Sequence, residues 1–283
     1  MRPPSNWTNE QTRIVKPENC MHAPTPQDLI QHRVDDRGEH GCVAYITVNN
    51  PAKRNTLGIP GKRAIAETFN TLAKNERIRV AVITGAGDKS FIAGADIAEM
   101  KDLDAAQAEV EHTLTHVANE SIQMFPVPVI ARINGWCLGF GMELAAACDM
   151  RIGVDTAKFG MPEVRVGIPS GMEAVLLPAL VGWGKAAELI YTGDIIDAQE
   201  AYRCGYLQKV VPAADLDAAV EKMIGSILLG GPHAMRLQKA LVRDWQRMSV
   251  ADSVRQGIRA CVAARSTDEP KRMMEAFINR KRK

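Results

Sequence analysis

Val127-Pro128-Val129-Ile130-Ala131-Arg132-Ile133 leads into Gly139-Phe140-Gly141-Met142-Glu143-Leu144-Ala145-Ala146-Ala147-Cys148-Asp149, and this into Met150-Arg151-Ile152-Gly153-Val154. The first run is short, apolar and rich in β-branched residues, which predicts a strand. Glycines ahead of an alanine-rich stretch predict a turn that opens a helix, and the third run predicts a strand again. The same grammar extends outward. Arg79-Val80-Ala81-Val82-Ile83-Thr84 is a continuous apolar run that suits a sheet buried on both faces. Cys42 to Val48 is a strand that ends in the turn Asn49-Asn50-Pro51, residues 60–75 carry helical spacing in Ile65, Phe69 and Leu72, and residues 103–124 predict a helix. The alternation runs to about residue 212 and predicts an α/β architecture.

Beyond Val211-Pro212 the pattern becomes helical. Residues 214–229, 233–247, 250–265 and 268–281 predict helices, punctuated by Gly230-Gly231-Pro232 and Glu269-Pro270. Three segments follow: residues 1–31, a polar, proline-bearing extension read as flexible; residues 32–212, the α/β core, with order beginning near His32; and residues 213–283, a helical region that would cover the active site or mediate oligomerisation.

A chain of 283 residues can bury a substantial core, and a net charge of +2 gives no bulk electrostatic case for a nucleic-acid or membrane surface. The terminal Arg280-Lys281-Arg282-Lys283 reads equally well as a solvated helix end. No apolar run is long enough for a membrane helix. The six cysteines form no Cys-x-x-Cys pair and read as small, mostly buried residues of a reducing compartment. The expected location is cytoplasmic. His112 and His116 share a helix face, but no third ligand accompanies them, so no metal site is expected. Trp136, Trp183 and Trp245 read as packing residues.

The chemistry concentrates in two glutamates. Glu143 follows the glycine turn in the first turn of a helix whose next residues are apolar; Glu163 follows Phe159-Gly160-Met161-Pro162 in a loop. Each alone has a bland reading, as a helix N-terminal acid or a surface acid. Together, one protonated and one ionised carboxyl can give and take a proton in a single addition or elimination. Backbone N–H groups at the start of the helix favour negative charge beside them. The loop is no dinucleotide fingerprint, because Leu144 stands where the third glycine would be.

Taken together, Asn50 to Leu57, Phe91 to Met100, Asn134 to Asp149, Phe159 to Gly167, Tyr191-Thr192-Gly193-Asp194 and the closing Ala276 to Arg282 resemble the enoyl-CoA hydratase/isomerase (crotonase) superfamily. The resemblance implies a crotonase-like spiral of ββα units with a helical C-terminal trimerisation region, assembled as a homotrimer or a dimer of trimers. It implies an acyl-CoA thioester as substrate, with no separate cofactor because CoA is part of the substrate, and neither nucleic acid nor membrane as partner. Ala95 and Phe140 match the two oxyanion-hole N–H donors. Glu143 and Glu163 match the two catalytic glutamates, whose roles would be activation of water and protonation at the α-carbon.

Lys53 and Arg54 match the loop that meets the CoA phosphates and adenine. Ala93, Asp96, Ile97 and Ala98 match the segment around the adenine and pantetheine, and Phe277 and Lys281 match a C-terminal helix that reaches a neighbour's CoA. Three positions depart from the family pattern. Phe140 stands between two glycines where the family has a third, Ser170 replaces a glycine that helps to place water, and Ala98 stands where lysine is frequent. Glu173 adds a third acid, read as a helix N-terminal residue. The expected activity is reversible hydration of a trans-2-enoyl-CoA to a 3-hydroxyacyl-CoA. The alternatives are Δ3-Δ2 isomerisation by Glu163 alone, another acyl-CoA reaction of the superfamily, and a non-catalytic acyl-CoA-binding relative.

Overall fold

The computed structural model describes residues 26–280. Residues 1–25, most of the expected flexible extension, and Lys281 lie outside the described residues. In chain order the strands are β1 (Ile30–Asp36), β2 (Cys42–Val48), β3 (Ile78–Gly85), β4 (Ser90–Ile92), β5 (Val129–Ile133), β6 (Trp136–Leu138), β7 (Met150–Val154), β8 (Lys158–Gly160), β9 (Ile196–Asp197) and β10 (Lys209–Val211).

Two sheets result. The larger has the order β1-β2-β3-β5-β7-β10, and the smaller has β4-β6-β8-β9. From β2 through β10 the large sheet is parallel, with Tyr45 opposite Val82, Val82 opposite Ile130 and Ile130 opposite Met150. Parallel strands are covered on both faces, which is why β2, β3 and β5 are nearly all buried and apolar. The small sheet is parallel across β4, β6 and β8. The chain leaves each of β3, β5 and β7 for the next strand of the small sheet, then enters helical structure. That path is the expected spiral of ββα units.

The strands at residues 42–48, 79–84 and 150–154 lie where the sequence predicts them. Ahead of His32 the described residues already form a short helix, Pro26–Leu29, and the start of β1. β1 pairs antiparallel with β2 at the sheet edge and is largely exposed, so its polar side chains hide the period-2 signal. The four helices expected after residue 212 are Leu216–Leu228, Pro232–Trp245, Val250–Ala263 and Glu269–Arg280. Trp183 corrects the packing assignment: it opens the helix Trp183–Thr192 and is 80% exposed in the single chain, and Trp245 is also exposed. No helix among the described residues is long and apolar enough to cross a membrane.

Candidate active site

The helix Phe140–Ala147 is buried along its whole length. Its C-terminal end is held by Arg151, whose Nη1 donates to the carbonyls of Ala145 (3.0 Å) and Cys148 (2.8 Å) and whose Nε donates to Tyr206 O (2.7 Å). A cation at this end complements the helix dipole and satisfies carbonyls that the helix leaves open. Tyr206 Oη in turn donates to Met142 O at 2.6 Å. The helix is therefore pinned from behind, and its N-terminus faces a cavity that opens to solvent.

The turn into this helix explains the departure at Phe140. Gly139 has φ 49°, and a Cβ there would meet Glu163 Oε1 at 2.3 Å. A Cβ at Gly141 would lie 2.0 Å from the Ile92 carbonyl oxygen. Glycine is required on either side, by conformation at one and by close approach at the other. Phe140, between them, is outside the left-handed region, and its ring lies under the Lys62 ammonium, 4.9 Å from centroid to Nζ. Its backbone N–H and that of Ala95 donate to no other protein group among the described residues, and both residues line the cavity. Two open N–H groups are what an oxyanion requires.

Glu143 and Glu163 line the same cavity. Glu143 is buried at 3% exposure and accepts one hydrogen bond, from Ala174 N–H at 3.2 Å. Burial, joined by the negative charges of Glu163 and Glu173, pushes its carboxyl up to about 8. Burial also raises Glu163, against the pull of its own backbone N–H and of the Ser170 hydroxyl. Ser170 Oγ donates to Glu163 Oε2 at 2.8 Å, so the residue that replaces a glycine is bonded to the carboxylate. Glu163 itself sits in the 3-10 helix Pro162–Val166. Its deeper burial makes Glu143 the carboxyl that keeps its proton at neutral pH.

Glu173 does lie in the first turn of a helix, the 3-10 helix Met172–Leu176, and it has partners there besides. It is buried, accepts from Asn119 Nδ2 at 2.8 Å, and lies 2.7 Å from His116 Nδ1. His116 and His112 thus turn to different acids, His112 Nδ1 lying 2.8 Å from Glu111 Oε2. Among the described residues no group of three His, Cys, Asp or Glu side chains could hold a metal ion.

Lys53 and Asp96 form an ion pair at 2.7 Å without lining the cavity, and Asp96 caps the short helix Ile97–Met100 through the Ala98 N–H. Arg54 is exposed, and its carbonyl accepts from Ala93 N–H at 3.1 Å, which stitches the Lys53–Leu57 loop to the oxyanion loop. Ala93 and Ile97 line the cavity, whereas Ala98 is exposed and does not. Phe277 is exposed on the last helix and does not line this cavity.

Sequence reasoning missed Lys62 and Glu111, which line the cavity as a buried ion pair with Thr115 beside them. The signal was present. Stepping one helical turn back along the stripe Ile65, Phe69, Leu72 lands on Lys62, and the buried stripe of the Ala105–Gln123 helix includes Glu111, Thr115, Ala118 and Ile122.

Comparison with known proteins shows the family. Residues 38–283 match the family model described as enoyl-CoA hydratase/isomerase. A crotonyl-CoA hydratase of Syntrophomonas wolfei is 37% identical over 241 residues, covering 85% of this chain and 93% of that protein. A short-chain-enoyl-CoA hydratase of Clostridium acetobutylicum is 33% identical over 245 residues, covering 86% and 94%. The crystal structure of an enoyl-CoA hydratase from Bacillus anthracis superposes with a TM-score of 0.83 at 31% identity, covering 90% of this chain and 97% of that one. With two carboxylates and two open backbone N–H groups lining one cavity, and with relatives matched over nearly their full length, the chain belongs to the enoyl-CoA hydratase/isomerase family.

Proposed function

We propose that this protein is a lyase that adds water reversibly across the double bond of a trans-2-enoyl-CoA. The observation that carries the reading is the pair Glu143 and Glu163 lining one cavity, the proton of Glu143 held up to about 8 by burial and by the charges of Glu163 and Glu173. The ionised carboxylate takes a proton from water as the water oxygen bonds to the β-carbon. The electron pair of the double bond moves toward the thioester oxygen, where the N–H groups of Ala95 and Phe140 receive the charge. As the enolate collapses, the protonated carboxyl delivers its proton to the α-carbon. One proton enters the dyad and one leaves, so hydration needs no redox group or metal, and CoA serves as part of the substrate. Single-base isomerisation would use only one of the two acids that line the cavity.

Lys53 and Arg54 are the cations we assign to the CoA phosphates, supported by their place on the loop bonded to Ala93, Gly94 and Asp96. Five described cysteines are free thiols, three of them buried, which supports a reducing compartment such as the cytoplasm. The test of the reaction is loss of the conjugated enoyl-thioester absorbance with a short trans-2-enoyl-CoA, wild type beside Glu143→Gln and Glu163→Gln. Wild-type turnover that collapses in both variants supports hydration; no wild-type turnover of any chain length removes it.

The pH profile of kcat/KM is expected to be bell-shaped. It falls above about 8 as Glu143 loses its proton, and falls on the acid side as Glu163 gains one, at a pH above the ordinary carboxylate range. Glu173→Gln removes a negative charge that holds the Glu143 proton, so the alkaline limb is expected to move to lower pH. An alkaline limb that stays in place in this variant contradicts the assignment.

We further propose assembly as a homotrimer or a dimer of trimers through the C-terminal helices. Supporting this, the helix Val250–Ala263 has no buried residue, and Val250, Val254, Ile258 and Val262 form an exposed apolar stripe at four-residue spacing. Light scattering is expected to give a mass three or six times that of the chain, and Ile258→Asp is expected to lower it.

A further inference from the structure

One stretch of chain touches both carboxylates and treats them differently. Residues 167–171 join the 3-10 helices Pro162–Val166 and Met172–Leu176. Pro169 and Gly171 line the cavity, and Ser170 between them does not. Its hydroxyl turns to Glu163 instead, donating to Oε2 at 2.8 Å. Further along, the Ala174 N–H reaches Glu143 Oε1 at 3.2 Å. The other oxygen of Glu163, Oε1, lies against the turn into the active-site helix, where a Cβ on Gly139 would meet it at 2.3 Å.

Among the described residues Ser170 is the only side chain that hydrogen-bonds to Glu163, and no side chain hydrogen-bonds to Glu143. The charged groups nearby are engaged elsewhere. Arg165, in the same 3-10 helix as Glu163, pairs with Asp194 and donates to Thr192 O at 3.0 Å. On the helix Trp183–Thr192, packed against that 3-10 helix, Lys185 and Glu188 pair with one another. Lys62 on the cavity wall pairs with Glu111, and Glu173 turns to His116 and Asn119. A hydroxyl has one hydrogen to give, and a bond to an ionised oxygen is stronger than one to a neutral oxygen. Ser170 therefore favours the charged form of Glu163, while a single long backbone contact leaves buried Glu143 as the carboxyl that keeps its proton. Tethering Oε2 also fixes the rotation of the carboxylate, which leaves Oε1 to meet a water.

We propose that Ser170 is a positioning residue that makes Glu163 the base of the pair, so that Glu163 takes the proton of the attacking water and Glu143 protonates the α-carbon. This order is the reverse of the one the family resemblance implies, and it rests on the hydratase reading. As the water oxygen bonds to the β-carbon, its O–H bond breaks and the proton goes to Glu163. The electron pair of the double bond shifts toward the thioester oxygen, then returns to the α-carbon as that carbon takes the proton of Glu143. Glu163 ends the step protonated and Glu143 ionised, and exchange of one proton with solvent at each resets the pair.

The test is Ser170→Ala in the full-length protein, with Ser170→Thr as the variant that keeps a hydroxyl. Titration of Glu163 is followed through the infrared carboxyl band that is lost in Glu163→Gln. In Ser170→Ala this band is expected to titrate about one pH unit higher than in wild type, and in Ser170→Thr close to wild type. For hydration of a short trans-2-enoyl-CoA, the acid limb of kcat/KM is expected to move up with it in Ser170→Ala, with the alkaline limb moved less. The height of the plateau reports the role. With Glu163 as base the plateau is expected to be no higher than in wild type. With Glu163 as acid, its greater proton affinity would populate the working protonation state and raise the plateau, by up to about tenfold.

A Glu163 band that titrates as in wild type, an acid limb that stays in place, or a plateau that rises would each overturn the assignment. If the band moves as expected but wild type hydrates no enoyl thioester, the hydratase reading falls and the hold of Ser170 on Glu163 stands.

Discussion

Glu143→Gln and Glu163→Gln are each expected to lower kcat for hydration by about 10²–10⁴-fold, the range for losing a positioned acid or base. The substitutions preserve shape: the amide oxygen introduced at position 143 could still accept from the Ala174 N–H, and the one introduced at position 163 could still accept from Ser170. Folding would separate a catalytic loss from a structural one. Glu143 is almost fully buried and its folded-state carboxyl sits near 8, above its ordinary value of 4.5. The native state therefore holds a proton that the unfolded chain releases.

The sign follows from that difference. Burying Glu143 costs nothing below about 4.5, costs progressively more as pH rises toward 8, and costs its full amount above 8. Glu143→Gln removes the penalty. At pH 9 the variant is expected to be more stable than wild type by on the order of a few kcal/mol, while at pH 4 the two converge. Chemical denaturation at the two pH values, with protomer concentration fixed, checks this. A variant that is inactive and also less stable at pH 9 would contradict the picture of a destabilising buried acid retained for catalysis.

Arg151→Met is expected to produce the largest loss of stability, about 3–5 kcal/mol. Arg151 is 2% exposed, and its guanidinium donates to three carbonyls at the end of the active-site helix and on the Tyr206 segment. Methionine fills similar volume but leaves those carbonyls without their donor. Arg151→Lys is expected to be intermediate, since one ammonium has a single point of attachment where the planar fork reaches separate partners. Unfolding midpoints in urea measure both. The site is expected to feel the change as well, because the same helix presents Phe140 N–H and Glu143 at its other end. A variant with wild-type stability would show that packing alone holds the helix.

Within the large sheet β2, β3, β5 and β7 were legible because each leaves a short apolar run, whereas the exposed edge strand β1 and the three-residue β10 were not. Nor was the small sheet. β4, β6 and β8 span three residues each, too short for any period, and are specified by pairing with one another. The two glutamates were legible from the motifs around them, and the glycines on either side of Phe140 from the turn they make. Trp183 was misread because aromatic content predicts burial on average, whereas its exposure depends on where the helix Trp183–Thr192 sits.

The sequence by itself determined the α/β alternation, the helical C-terminal region, the family resemblance and the pair of acids beside an oxyanion loop. These are properties of local pattern and spacing. Only the tertiary structure decided what the acids are. Glu143 acquires its raised proton affinity from burial and from Glu163 and Glu173, brought close by packing rather than by spacing. Ser170 becomes the hydrogen-bond donor to Glu163 because the 3-10 helix folds back toward it. Lys62 meets Glu111 across two helices, and Phe140 is accommodated because the flanking glycines absorb the tight turn and the close approach. Proton affinity and polar satisfaction depend on distances between residues far apart in the chain, and those distances exist only once the core has packed.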